Sequence, residues 1–232
     1  MKFKTQLLHS SGGDQQTGAL TTPIYQSSTF TYGTAAEGKA RFAGERSGFI
    51  YSRMANPTVQ ALEQQLAVLE GADEALVVAS GMAAVSSIFY ALASAGDEVA
   101  FIDPVYGGTA AFLVNTLSRA GINVSRYASD DDLLANIHPA TKLVLFEPIT
   151  NPNLKVTDYR KIKAAAAKTG AITVCDNTFL TPYLFKPLEH GIDLVMHSGT
   201  KYLSGHGDII AGVVAGRIEL MQAVRTIALK HI

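Results

Sequence analysis

The sequence has few features that point to a special environment. It contains one cysteine in 232 residues, Cys175, so no disulfide can form within the chain, which fits a reducing compartment. The net charge of −1 offers no general attraction to nucleic acid or to an anionic membrane. No apolar run reaches the ~20 residues of a membrane helix, and residues 1–6 lack the apolar core of a signal peptide. We therefore expect a cytoplasmic protein without nucleic-acid or membrane partners.

Several motifs that bind phosphates or metals are also absent. The sequence has neither GxGxxG nor GxxxxGK[ST], which disfavours a dinucleotide-binding or nucleotide-binding regulatory domain. Histidines and acidic residues occur between residues 189 and 208, but their spacing matches no HExxH or similar pattern. We accordingly predict no metal site.

From Asn56 onward, short apolar runs alternate with helical periodicity. Helices are predicted at 57–70, 82–93, 109–120 and 158–168, and strands at 75–79, 99–103, 124–127, 142–147, 172–176, 194–197 and 209–214. This alternation predicts an α/β fold with a mainly parallel sheet that is covered on both faces. Residues 1–50 are punctuated by glycine and show no period. We therefore expect an extended arm over 1–55 that contacts a partner subunit, followed by a ligand-binding domain over 56–232.

Polar residues follow five of the predicted strands. Ligands bind beyond the carboxyl ends of the strands in such sheets. The residues placed there are Ser80-Gly81, Asp103 with Tyr106, Glu147 with Asn151, Asp176-Asn177, and Ser198 with Thr200 and Lys201. Their convergence predicts an active site at this edge of the sheet.

Lys201 carries the most specific chemistry of this set. It follows the apolar run 192–196 in the segment His197-Ser198-Gly199-Thr200-Lys201. A desolvated lysine loses its proton more easily and becomes the nucleophile that a Schiff base needs, and the neighbouring hydroxyls suit a phosphate. This segment suggests pyridoxal 5'-phosphate (PLP) bound through Lys201; the alternative is a lysine at a strand end that reaches solvent.

Three other strand ends fit the same cofactor. Asp176 ends an apolar strand and needs a cationic partner, which a protonated pyridine nitrogen would supply; a helix cap or an ion pair with a lysine is the alternative. Gly81 and Met82 open a helix, where backbone N–H groups bind anions. The Tyr106 ring could stack on a pyridine and its hydroxyl could act as acid or base, or it could be an ordinary loop tyrosine.

Tyr51 and Arg53 precede the first regular helix. They lie two residues apart in an extended segment, so their side chains point the same way and could clamp a phosphate. The alternative is a surface arginine.

Taken together, these segments resemble the Cys/Met-metabolism family of PLP enzymes, which have the fold type I, aspartate-aminotransferase-like architecture. The resemblance extends through nearly the whole chain. It rests on Thr22-Pro23-Ile24-Tyr25-Gln26-Ser27-Ser28-Thr29-Phe30, Tyr51-Ser52-Arg53, Asn56-Pro57-Thr58, Leu69-Glu70-Gly71, Ser80-Gly81-Met82-Ala83-Ala84, Thr150-Asn151-Pro152-Asn153, Asp176-Asn177-Thr178, Thr181-Pro182-Tyr183 and Ser198-Gly199-Thr200-Lys201-Tyr202.

The resemblance implies a role for each matching residue. Lys201 would bind PLP covalently and act as the catalytic base, and Tyr106 would stack on the ring and assist the leaving group. Asp176 would pair with the pyridine nitrogen, and Asn151 and Glu147 would lie near the cofactor hydroxyl. Gly81, Met82, Ser198 and Thr200 would bind the phosphate. Tyr51 and Arg53 would reach the cofactor of a neighbouring subunit, in a homotetramer built as a dimer of dimers.

Within this family, the segments Phe42-Ala43-Gly44-Glu45 and Ser204-Gly205-His206-Gly207-Asp208 most resemble the methionine γ-lyases. That branch implies α,γ-elimination of L-methionine to 2-oxobutanoate, ammonia and methanethiol. Gly108 stands where many of those lyases carry cysteine, which leaves cystathionine γ-lyase, cystathionine γ-synthase and O-acetylhomoserine sulfhydrylase activities open. The family continues into a C-terminal small domain that supplies the arginine for the substrate carboxylate. We expect that domain to be missing here, so a PLP-binding fragment without turnover is a further alternative.

Overall fold

The structure, a computed structural model, describes residues 2–9 and 18–231. The chain divides into two compact units, Met1–Leu69 and Glu70–Ile232. No helix among the described residues is both long enough and apolar enough to cross a bilayer.

The first unit contains more regular structure than its sequence suggested. Helix α1 spans Phe3–His9, α2 spans Ala35–Phe42, and α3 spans Pro57–Glu70, so that only its last residue belongs to the second unit. The prediction that residues 1–50 are irregular throughout is therefore wrong. The missed signal for α2 is a capping box: the Thr34 hydroxyl accepts the N–H of Glu37 at 3.1 Å. Glu37 in turn pairs with Arg41 one turn later at 2.7 Å.

The second unit is built around a seven-stranded sheet in the order β1-β7-β6-β5-β4-β2-β3. The strands are β1 Glu74–Val78, β2 Glu98–Ile102, β3 Asn123–Tyr127, β4 Thr141–Phe146, β5 Ile172–Asp176, β6 Leu194–Ser198 and β7 Gly212–Gly216. Strands β2 to β6 pair in parallel, and β7 runs antiparallel to both β1 and β6. The α/β class with a mainly parallel sheet is confirmed.

Helices cover both faces of this sheet. They are α4 Gly81–Leu92, α5 Gly107–Ala111, α6 Asp130–Asn136, α7 Tyr159–Thr169, α8 Thr181–Leu184 and α9 Ile218–Thr226. One apolar cluster packs α4 and α9 against residues such as Leu145 and Met196, and a second packs α6 and α7 against Phe146 and Cys175. Because successive side chains of a strand point to opposite faces, the inner strands β2, β4 and β5 are mostly apolar on both faces, as their sequence predicted. The edge strand β3 is more polar and less buried.

Two boundaries differ from the sequence prediction. The helix expected at 109–120 begins at Gly107 and passes through a π-helical segment, Phe112–Leu117, before a short 3₁₀ turn. The last strand begins at Gly212 instead of residue 209, and Ile210 is exposed. A Cβ on Gly212 would lie 2.0 Å from the carbonyl oxygen of Ser80, so the strand starts where only glycine permits this backbone approach.

Candidate active site

A cavity of about 310 Å³ opens at the carboxyl ends of the sheet strands in the second unit. It brings together residues from five strand ends that the sequence placed at this edge. The lining residues with predicted roles are Ser80, Gly81, Met82, Tyr106, Glu147, Asn151, Asp176, Ser198, Thr200 and Lys201. Two other strand-end residues do not line it. Asp103 pairs with Arg126 at 2.6 Å, and Asn177 is buried and donates to the carbonyl of Phe185 at 2.8 Å.

Asp176 forms one wall of the cavity as the last residue of β5. Its Oδ1 accepts two hydrogen bonds from Thr178, from the backbone N–H at 3.1 Å and the hydroxyl at 2.5 Å. Burial raises the pKa of Asp176, against the opposing effects of the Thr178 hydrogen bonds and of His197. Among the described residues, no basic side chain lies within ion-pair distance of this carboxyl. The predicted alternative of an ion pair with a nearby lysine is therefore not what the structure shows.

Glu147 lies beside Asp176 and connects two loops of the site. Its Oε1 accepts the backbone N–H of Tyr106 at 2.6 Å, and its Oε2 accepts that of Asn151 at 3.3 Å. Burial raises the pKa of Glu147 to about 7, and the charge of Asp176 adds to this effect. Because the two loops follow β2 and β4, the carboxyl of Glu147 fixes their relative positions.

The amino end of α4 forms the opposite side of the cavity. Ser80 caps the helix by accepting the N–H of Ala83 at 3.0 Å, and the first-turn N–H groups of Gly81 and Met82 precede the first intrahelical bonds. A Cβ on Gly81 would lie 2.9 Å from the Cβ of Ser198. Glycine at this position therefore lets the end of β6 approach the start of the helix.

The two hydroxyls next to Lys201 differ in their bonding. Among the described residues, the side chain of Ser198 has no hydrogen-bond partner, so its hydroxyl is available to a ligand. Thr200 Oγ1 accepts the N–H of Ala211 at 3.1 Å and donates to the carbonyl of the same residue at 3.3 Å. A phosphate would have to compete with that carbonyl for the Thr200 proton.

Lys201 and Tyr106 line the cavity with largely exposed side chains. Lys201 lies in the turn after β6, and its N–H donates to the carbonyl of Ser198 at 3.1 Å. The expectation of a lysine desolvated at the end of a buried strand is wrong for this structure, because the turn carries the side chain beyond the strand. The Tyr106 side chain is 52% exposed, and its ring lies close to the backbone of Gly108, where a Cβ would approach to 2.6 Å.

Tyr51 and Arg53 belong to the first unit. Tyr51 forms an isolated antiparallel bridge with Thr29, and the guanidinium carbon of Arg53 lies 5.7 Å from the centre of the Tyr51 ring. This distance is within cation–π range. Their assignment to a cofactor phosphate stays a prediction.

Several lining residues had no role in the sequence prediction. They are Val85, Thr109, Ile149, Thr178, Phe179, Met196 and Ile210. Thr178 had a detectable signal, because a hydroxyl two residues after a strand-terminal aspartate often closes a local turn onto it. The apolar members had none, since the sequence alone cannot separate a cavity wall from a core position.

The cavity fits a phosphorylated pyridine aldehyde. The buried carboxyl of Asp176, which forms no ion pair among the described residues, suits a protonated ring nitrogen. The helix amino end and the Ser198 hydroxyl suit a phosphate, and the Lys201 amine at the cavity wall suits a carbonyl carbon. A doubly covered α/β sheet with these groups at its carboxyl edge defines the cofactor domain of a PLP-dependent enzyme.

Comparison with known proteins identifies the family. The sequence matches the family described as "Cys/Met metabolism PLP-dependent enzyme" over residues 4–230, and the chain belongs to it. It is 45% identical over 232 residues to an L-methionine γ-lyase of Pseudomonas putida, covering 98% of this chain and 58% of that protein. It is 42% identical over 217 residues to a cystathionine γ-lyase of Bacillus subtilis, covering 92% of this chain and 55% of the relative.

A solved structure agrees with this assignment. A Campylobacter jejuni protein described as a putative O-acetylhomoserine (thiol)-lyase, with an N'-pyridoxyl-lysine-5'-monophosphate, superimposes with a TM-score of 0.89 at 36% identity. The match covers 96% of this chain and 56% of the other. PLP is thus the cofactor of the family, which includes lyases of sulfur amino acids. The chain spans little more than half the length of these relatives.

Proposed function

We propose that this chain provides the cofactor-binding half of a PLP-dependent lyase of sulfur amino acids. The observation that carries the proposal is that Lys201, the buried carboxyl of Asp176 and the amino end of α4 line the same cavity. In this assignment Lys201 binds PLP covalently, Asp176 pairs with the ring nitrogen, and the Tyr106 ring stacks on the pyridine. Asn151 lies on the hydroxyl side of the ring.

The phosphate would be bound by the end of β6 and the start of α4. Gly81 and Met82 supply backbone N–H groups, and Ser198 and Thr200 supply hydroxyls. The free hydroxyl of Ser198 and the close approach at Gly81 support this assignment. The Thr200 hydroxyl would contribute by donating to the phosphate instead of to the Ala211 carbonyl.

The bound cofactor supplies an electron sink for the electrons left when a substrate proton is removed. This chain's own residues move the protons. With the cofactor bound, the Nζ of Lys201 would take the Cα proton of the substrate and then transfer a Cβ proton. The Tyr106 hydroxyl would donate a proton to the departing sulfur, and the Asp176 carboxyl would favour a cationic ring nitrogen. One water is consumed as methionine yields 2-oxobutanoate, ammonia and methanethiol.

L-Methionine is the substrate we propose. The resemblance to methionine γ-lyases at 45% and 42% identity supports it. Cystathionine and O-acetylhomoserine are the alternatives, since relatives named for these substrates also match. Methionine, cystathionine and O-acetylhomoserine should be compared directly, because Gly108 has no side chain beside the Tyr106 ring.

Borohydride reduction tests the cofactor assignment. The protein loaded with PLP is reduced and digested, and the peptide that carries the pyridoxyl group is identified by mass spectrometry. The label is expected on Lys201, and Lys201→Ala is expected to lose it. The matched control is Lys142→Ala, which removes an exposed lysine from β4. A label that persists in Lys201→Ala would show that the assignment is wrong.

Turnover tests the reaction. The PLP-loaded chain is incubated with L-methionine, L-cystathionine or O-acetyl-L-homoserine, and 2-oxobutanoate is followed with time. Catalytic release from methionine at the highest kcat/KM supports the proposed substrate. A stoichiometric PLP complex that releases none from any of the three contradicts the proposed activity and supports the alternative of a PLP-binding fragment without turnover.

Assembly is a separate part of the proposal. Residues 1–55 would contact a partner subunit, and Tyr51 and Arg53 would reach the phosphate of that subunit's cofactor in a dimer of dimers. Co-expression of Arg53→Ala with Lys201→Ala tests this arrangement, because a mixed dimer then contains one intact site. Recovery of activity in the mixed species, with neither variant active alone, supports a shared site. Absence of recovery in a verified mixed dimer contradicts it.

A further inference from the structure

A buried glutamate–histidine pair lies within the second unit, outside the cavity lining. Glu70, at the end of α3, and His197, in β6, are each 1% exposed, and His197 Nε2 lies 2.5 Å from Glu70 Oε1. This separation places the imidazole and the carboxyl in direct hydrogen-bond contact. Among the described residues, Glu70 Oε2 and His197 Nδ1 are buried without a hydrogen-bond partner. Burying two ionisable groups that each keep an atom without a hydrogen-bond partner costs free energy. A cost of this kind indicates that the pair has a functional role.

The pair lies directly behind the ligand-binding end of β6. Asp176 is opposite Met196 in the parallel ladder, and both line the cavity. His197 is the next residue, so its side chain points to the other face of the sheet. The residue after it, Ser198, donates its backbone N–H to Thr178 Oγ1 at 2.8 Å, and that hydroxyl donates to Asp176 Oδ1 at 2.5 Å. His197 is therefore connected to the Asp176 carboxyl by the peptide bond to Ser198 and by two hydrogen bonds through the Thr178 hydroxyl.

His197 also acts electrostatically on Asp176. His197 lowers the pKa of Asp176, in opposition to burial. Among the described residues, the other titratable groups near Asp176 are Glu147, Tyr106 and Lys201, which line the same cavity. The buried thiol of Cys175 precedes Asp176 in β5. His197 is buried and does not line the cavity, so it acts on Asp176 from the other face of the sheet.

We propose that Glu70 and His197 are positioning residues. The Glu70 carboxyl holds the His197 ring behind the sheet, and His197 keeps the end of β6 and the carboxyl of Asp176 in place for a cationic ring nitrogen. The proposal rests on the proposed PLP site for its purpose. The charge coupling between Glu70 and His197 is a property of the chain itself and can be measured without a cofactor.

Nitrogen NMR of the histidine side chains tests the coupling in the protein without added PLP. The ring-nitrogen signals of His197, assigned by their loss in His197→Gln, are expected to move in Glu70→Gln, which replaces the charged acceptor of the hydrogen bond with a neutral one. Identical His197 signals in the wild type and in Glu70→Gln would overturn the proposal. This outcome does not depend on whether the cavity binds PLP.

Cofactor binding tests the link to Asp176. The dissociation constant of PLP is measured as a function of pH for the wild type, Glu70→Gln and His197→Gln. Loss of binding on the acid side is expected to begin at a higher pH in both variants, because each change weakens the support of the Asp176 carboxylate. A uniformly weaker affinity with an unchanged pH profile would overturn the charge coupling. If His197→Gln fails to fold, Glu70→Gln provides the same measurement.

A second histidine–glutamate pair provides the matched control. His138 Nδ1 lies 3.1 Å from Glu98 Oε2, and Glu98 begins β2, at the edge of the sheet opposite the cavity. His138→Gln is expected to leave both the PLP affinity and its pH profile at wild-type values. A wild-type chain that binds no PLP would contradict the proposed function and leave the NMR result to decide the coupling.

Discussion

The stability of the protein depends on pH in part through Glu147. This side chain is 7% exposed and accepts backbone hydrogen bonds from Tyr106 and Asn151. Burial, and then the charge of Asp176, raise its pKa from 4.5 to about 7 in spite of those two bonds. The folded protein therefore binds this proton more tightly than the unfolded chain does.

The sign and size of the effect follow from this difference. The stabilisation that a protonated Glu147 provides is fully present below about pH 4.5 and is lost as the pH rises through about 7. Each pKa unit corresponds to about 1.4 kcal/mol. The difference between 4.5 and about 7 thus amounts to about 3 kcal/mol of unfolding free energy.

Urea unfolding of the wild type and of Glu147→Gln at several pH values measures this contribution. Far-UV circular dichroism is the suitable signal, because the chain has no tryptophan. The neutral amide cannot titrate, so the variant is expected to gain about 3 kcal/mol relative to the wild type between about pH 4.5 and 8. Other titrating groups occur in both proteins and largely cancel in the difference.

The matched control is Glu219→Gln, which changes an exposed glutamate in the first turn of α9. Its free-energy difference from the wild type is expected to vary little over the same range. A difference between the wild type and Glu147→Gln that stays constant with pH, or that changes in the opposite direction, would refute the reasoning.

Three further substitutions test the geometry of the site. Gly81→Ala places a Cβ 2.9 Å from Ser198 and is expected to weaken PLP binding about tenfold, measured by equilibrium titration. Thr178→Val removes the hydroxyl that donates to Asp176, so the pH at which PLP binding is lost on the acid side is expected to rise. Gly212→Ala places a Cβ 2.0 Å from a backbone carbonyl oxygen and is expected to destabilise the fold by about 3 kcal/mol in urea unfolding. Unchanged values in these three measurements would contradict the close approaches and the hydrogen bond on which they rest.

The fold class could be predicted because its signals are local. Continuous apolar runs such as 172–176 and 194–197, separated by helical periodicity, are sufficient for a doubly covered sheet. The position of the cavity was also predictable, since the carboxyl ends of parallel strands meet at the same edge. Helix α2 was predictable as well, because the sequence contains its capping box, Thr34 followed three residues later by Glu37.

The hydrogen-bond partners of the buried carboxyls could not be predicted from the sequence. Glu147 bonds to Tyr106 across 41 positions of the chain, and Glu70 bonds to His197 across 127. Contacts at such separations follow from strand order and register, which no local pattern specifies. Lys201 illustrates the same limit, because a turn after β6 leaves its side chain exposed where the sequence suggested burial.

The sequence by itself determined the family, the alternation of strands and helices, and which chemical groups stand at the strand ends, because each of these depends on residue type and spacing. The tertiary structure decided how those groups act on one another. Burial, and then the charge of Asp176, raise the pKa of Glu147. Folding also leaves the Asp176 carboxyl without an ion pair among the described residues and buries the Glu70–His197 pair. These are effects of burial and distance, and burial and distance exist only once the chain has folded.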